Sequence, residues 1–185
     1  MTPALSLAIA FSLAFVSALI NMGIPLKEIL GMLGVPGPAG GMMLLGGVIF
    51  TFWITLAYLL SGCRKFVGIT TAVLIPSFCL LFSPWYGVVD PPWFGVYGVI
   101  AFLAAGAVIE MFGNLRGSKS FAVGGGLSNL TCLLITWLAI GIHTGTWVPQ
   151  TFMPISLVLA FTSGAFGSLL AWLMVKKRNG SSIDF

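Results

Sequence analysis

Charge is what this sequence has least of. Of its 185 residues only 6% are charged, eight Lys and Arg against four Asp and Glu. A soluble domain carries about 25%, so too few charges are present to cover a water-facing surface. Histidine occurs once and cysteine three times. Cys63, Cys79 and Cys132 form no C-x-x-C pair and no metal-ligand spacing, and with one histidine and no clustered carboxylates a transition-metal site is excluded. No phosphate loop is present. Gly124-Gly125-Gly126 lacks the lysine and the strand context that such a loop needs. No repeat with a period of about 20–50 residues is found.

What the chain has instead is hydrophobicity. At 58% apolar residues it cannot be a disordered chain, and its apolar runs approach the roughly 20 residues a helix needs to cross hydrocarbon. The fold expected is all-α, a polytopic membrane protein with a bundle of six transmembrane helices. The spans run from about 3 to 22, 41 to 60, 66 to 82, 94 to 112, 121 to 142 and 152 to 175. Each ends at Gly, Pro or charge. Six helices of about 20 residues leave only short loops, so residues 1–185 are expected to form one transmembrane domain. The first 20 residues lack a basic leader and a small-residue cleavage pattern, and read as a retained helix rather than a signal peptide.

Charge placement sets the orientation. Arg64 and Lys65 lie between spans two and three, Arg116 and Lys119 between spans four and five, and Lys176, Lys177 and Arg178 after span six. With six spans all of these fall on one side, and Lys27 alone on the other. The positive-inside rule makes the basic side cytoplasmic, with both termini on that side of a cell membrane. The net charge of +4 is therefore a topology signal, not a sign of nucleic-acid binding. The outer loops, residues 23–40, 83–93 and 143–151, hold Trp85, Tyr86, Asp90, Trp93, His143, Trp147 and Gln150. An aromatic belt would place Trp and Tyr at both boundaries. Here only Tyr58 and Trp172 lie near the inner one, and the bias of the others points to an outward-facing pocket roofed by the first loop.

Polar residues inside spans are few. Asn21 lies near the outer end of span one, Thr51, Trp53 and Thr55 in span two, and Asn129, Thr131, Thr136 and Trp137 in span five. An Asn in hydrocarbon needs a partner in the bundle or a cavity. Trp137 lies two turns outward of Asn129 on roughly the same face, suited to a flat heteroaromatic ligand. The expected substrate-binding set is Asn21, Trp53, Trp85, Tyr86, Asp90, Trp93, Asn129, Trp137, His143 and Trp147. Glu110 is the one carboxylate inside a span. It reads either as a proton-coupling group or, more simply, as the partner of Arg116 or Arg64 at the inner boundary.

Small residues recur every four positions in span one at Ala10, Ala14 and Ala18, along one stripe. Such a stripe lets a second helix approach closely, either within this bundle or in a partner subunit. Ala160, Gly164 and Ser168 form a similar row in span six, read as internal packing. Thr162-Ser163-Gly164-Ala165-Phe166-Gly167 has a superficial likeness to the serine motif of rhomboid proteases. Phe161 stands where that motif has glycine, and His143 precedes Ser163 in a loop, so Ser163 lacks an activating base. No enzymatic activity and no cofactor are expected.

Six spans in this length, both termini inside, a long first outer loop and the Ala10-Ala14-Ala18 row resemble the S components of energy-coupling factor (ECF) transporters. Arg64-Lys65-Phe66-Val67-Gly68 at the start of span three, Gly106-Ala107-Val108-Ile109-Glu110 in span four and the segment Gly124 to Asn129 are locally similar. The resemblance implies a subunit that captures a vitamin or vitamin precursor from outside. It implies delivery inward with a transmembrane T component and two cytoplasmic ATPase subunits. It assigns docking on the T component to Ala10, Ala14 and Ala18, and the lid to the loop around Pro36-Gly37-Pro38. A thiamine-like or pyrimidine-like ligand suits an aromatic pocket with one carboxylate from Asp90 or Glu28; riboflavin and biotin stay open. Two other readings remain: a self-contained small-solute carrier or channel, and a structural subunit of a membrane complex.

Overall fold

The computed structural model describes residues 2–24, 39–82, 92–115 and 117–178. Among them the chain forms six helical rods. Helix α1 spans Pro3–Gly23. The Thr2 hydroxyl accepts the Leu5 N–H at 3.4 Å, and Pro3 fills the first helical position, where its missing N–H costs nothing. The second rod is composite: α2 Ala39–Gly46, a π-helical turn Gly47–Thr51, and α3 Phe52–Leu60. The others are α4 Val67–Phe82, α5 Pro92–Gly113, α6 Ser118–Thr144 and α7 Met153–Arg178.

Five of the six rods are long and apolar enough to cross a membrane, and α4, with 16 residues, is a shorter apolar helix. At 1.5 Å per residue α4 extends about 24 Å. The chain is an all-α polytopic membrane protein, as its composition leads one to expect.

The connection between α3 and α4 explains a sharp reversal. The Gly62 N–H donates to Leu59 O at 3.0 Å and the Cys63 N–H to Tyr58 O at 2.9 Å. This is a Schellman cap, which needs a left-handed residue, and Gly62 supplies it at φ +74°. The tight turn also holds Cys63 and Phe66 at positive φ, +57° and +69°.

Helices α1, α4, α5, α6 and α7 pack in a row, each on the next, and the composite rod packs on α1, α4, α6 and α7. The composite rod is the axis of the bundle. In its most apolar stretch 67% of residues are buried, against 28% in α1 and 33% in α7.

The Ala10, Ala14 and Ala18 stripe is spent on this packing, which corrects the docking role expected for it. All three are fully buried by the chain's own helices. Ala10 packs with Ala57 of α3 and Val67 of α4, and Ala14 and Ala18 join the core that includes Phe52 and Phe78. The outward face of α1 carries Leu5, Leu7, Phe11 and Leu19 instead. The physical reason is the one that made the stripe notable: methyl side chains let the axial rod come close, and here that rod belongs to the same chain.

The same logic joins α6 to α7. Ala160, Gly164 and Ser168 are buried, and Gly125 lies against Gly164 O and the Ser168 side chain. The three consecutive glycines face three partners: Gly124 meets Phe112, Gly125 meets α7, and Gly126 meets the Phe161 ring.

Candidate functional site

The residues expected to bind substrate divide into separate places. Trp85, Tyr86 and Asp90, with the Pro36-Gly37-Pro38 lid, lie outside the described residues. Trp93 and His143 come together. Trp93 is in the first turn of α5 and His143 in the last turn of α6, at the end of the bundle opposite Lys119 and Lys176. Their rings stack at 4.4 Å between centroids and 9° between planes. Tyr97, one turn along α5 from Trp93, meets the His143 ring edge-on at 5.2 Å and 71°. Tyr97 was not among the expected residues, though its i+4 spacing from Trp93 was readable in the sequence.

Trp147 is 60% exposed, yet its ring covers Gly141 of α6, where an added Cβ would meet the ring. This end of α6 is closed by Gly145, left-handed at φ +69°, whose N–H donates to Gly141 O at 3.0 Å. The chain therefore folds back so that Trp147 and His143 both cap the same helix end.

Asn21 is a separate contact between α1 and α4, its amide donating to Cys79 Sγ at 3.5 Å. Trp137 is half-buried against Leu133 and Ala160. Trp53 sits in the first turn of α3, edge-on to Phe52. Its indole Nε1–H is buried and without a hydrogen-bond partner among the described residues.

Asn129 belongs to a polar clasp around the π turn. Its amide nitrogen donates to Met42 O at 3.0 Å and to Ala160 O at 2.8 Å. The Ser163 hydroxyl donates to Leu44 O at 2.9 Å and accepts the Gly47 N–H at 3.0 Å. From the other side the Ser17 hydroxyl donates to Ile49 O at 2.6 Å. A π turn interrupts the α-helical ladder, and in hydrocarbon a backbone group left unpaired costs several kcal/mol. Side chains from α1, α6 and α7 supply the missing partners. Thr55 and Ser168 add a hydroxyl pair at 3.0 Å one turn further in. Both amide hydrogens of Asn129 are thus engaged in holding backbone.

Glu110 is also engaged with backbone. Its carboxylate oxygens accept the Phe66 N–H at 2.9 Å and the Ile69 N–H at 3.1 Å. It caps α4 from a neighbouring helix, a negative charge placed against the positive end of the helix dipole. The Ser163 hydroxyl is held by two backbone groups in the clasp, the Leu44 carbonyl and the Gly47 N–H.

Among the described residues the geometry sets three features in an apolar bundle: a clasp that stabilises the axial rod, the Glu110 cap on α4, and an aromatic cluster at one rim. No protein-family model matches the chain, and no curated protein and no solved structure matches it.

Proposed function

We propose that this protein is the substrate-binding membrane subunit of an importer, capturing a small planar heteroaromatic compound at the rim formed by Trp93, Tyr97 and His143. The observation that carries this reading is the Trp93–His143 stack with Tyr97 at its edge. Belt residues anchor a helix singly at the lipid boundary. Here three aromatic side chains converge from two helices, and they form a surface on which a flat ring can stack. The chemistry fits a thiamine-like or pyrimidine-like vitamin precursor.

The division of labour follows the resemblance to ECF S components. This chain binds, while a T component and two ATPases supply the work. With Ala10, Ala14 and Ala18 buried, contact with the T component belongs to another face of the bundle. Native mass spectrometry of the detergent-purified protein tests the reading. A retained small heteroaromatic molecule, lost on Trp93→Ala, is expected. A chain that carries nothing, and gains no thermal stability from thiamine, riboflavin or pyridoxal, sinks it.

A self-contained carrier is the second reading, favoured by the π turn in the axial rod, since π turns gather at functional sites. Proteoliposomes holding this chain alone would then accumulate labelled solute without ATPase subunits.

A further inference from the structure

We infer that His143 is an intramolecular stand-in for the ligand, its imidazole occupying the face of Trp93 that a planar nitrogen heterocycle takes on binding. This inference rests on the binding reading above and adds to it the class of ligand and a built-in competitor.

The geometry is that of a bound aromatic ring. The imidazole lies within 9° of parallel to the indole at 4.4 Å, and Tyr97 closes one edge at 71°. A five-membered ring with two nitrogens is the smallest member of the heterocycle class that stacks on an electron-rich indole. Those two ring contacts are what hold it: neither ring nitrogen is hydrogen-bonded among the described residues, and the side chain is exposed. His143 is also placed to leave. It stands in the last turn of α6, two residues before the left-handed Gly145, where the helix ends. Rotation about its side-chain bonds vacates the Trp93 face without moving either helix. Tyr97, one turn deeper on α5, stays as the edge that positions the incoming ring.

Two consequences follow. The ligand must be flat and conjugated, and electron-poor rings gain most, because the indole face attracts positive character. Its affinity is reduced by the stack it has to displace. Removing the imidazole therefore tightens binding by between about twofold and tenfold, the range that one stacked aromatic pair spans.

The experiment uses the full chain in detergent with thiamine and riboflavin as probes and biotin, which has no aromatic ring, as the control. Calorimetric titration compares wild type, His143→Ala, His143→Asn and Trp93→Leu, each checked for an unchanged melting profile. Tighter thiamine or riboflavin binding in both His143 variants, loss in Trp93→Leu and no gain for biotin support the inference. Weaker binding in both His143 variants means that His143 sandwiches the ligand, which overturns the inference and leaves the binding reading standing. A gain for biotin equal to that for thiamine overturns the ligand class. In the ligand-free protein, His143→Ala should change tryptophan emission, and the change should vanish in a Trp93→Phe background. No change means no stack, and the inference falls independently of any ligand. Failure of every probe with wild type and with both His143 variants removes the binding reading itself, and the inference with it.

Discussion

The hydroxyl of Ser163, on α7, stands inside the backbone ladder of the axial rod, 2.9 Å from Leu44 O and 3.0 Å from Gly47 N. A side chain from one helix thus completes the hydrogen bonding of another. This relationship accounts for a π turn at mid-membrane, where no water is present to satisfy what the turn leaves open.

Ser163→Ala should therefore destabilise the bundle by about 1–3 kcal/mol, the cost of a buried polar group left unmet. Unfolding of the purified chain in mixed micelles measures it. A change of a few tenths would mean that the turn closes its own ladder without Ser163.

Much of this architecture was legible in the sequence, and the reasons are physical. The described ends of the helical rods lie within about three residues of the expected spans, and where the residues beyond an end are described the stop is physical: left-handed Gly62 follows α3 and left-handed Gly145 closes α6. The clasp was not legible. An Asn in mid-span needs a partner, but the partners of Asn129 are backbone carbonyls of Met42 and Ala160, and a carbonyl has no signature in sequence. The π turn over Gly47–Thr51 left no trace either, since Gly-Val-Ile-Phe-Thr reads as ordinary apolar helix. The stripe on α1 shows the opposite difficulty. Its spacing announces a close helix contact but not whose helix arrives. Of the expected binding set, the structure brings together Trp93 and His143, and adds Tyr97 to them.

The identity of that arriving helix gives the second prediction. Ala14 is fully buried by this chain's own helices. Ala14→Leu inserts three carbons into a packed interface and should lower stability by about 1–3 kcal/mol. The measurement is a melting curve of the isolated chain with no partner present. A variant as stable as wild type would return the stripe to the role of an external docking face.

Glu110 gives a third. Its two carboxylate oxygens hold the Phe66 and Ile69 amides at the start of α4, and hydrogen bonds to a charged group contribute about 1.5–3 kcal/mol. Glu110→Gln keeps the shape but turns an NH2 group toward one of those donors. Hydrogen exchange across the first turn of α4 should accelerate, and Glu110→Ala should accelerate it further. Unchanged exchange in Glu110→Gln, together with lost uptake, would instead make Glu110 a proton-coupling group.

Two glycine substitutions separate packing from helix propensity. Gly167 of α7 lies against the backbone of Gly47, its added Cβ falling 3.0 Å from Gly47 Cα and closer still to Gly47 O. Backbone cannot swing aside as a side chain can, so Gly167→Ala has to push α7 away from the axial rod. That movement also draws Ser163 out of the ladder, so the cost compounds, and the loss should exceed that of Ser163→Ala. Gly98 of α5 is the contrast, with nothing within 4 Å of an added Cβ. There alanine gains helix propensity of up to about 1 kcal/mol and should leave stability equal or raised. Melting of the two variants side by side in one detergent makes the comparison. If they behave alike, α7 and the π turn are not in backbone contact, and the clasp that depends on that contact loses its geometric basis.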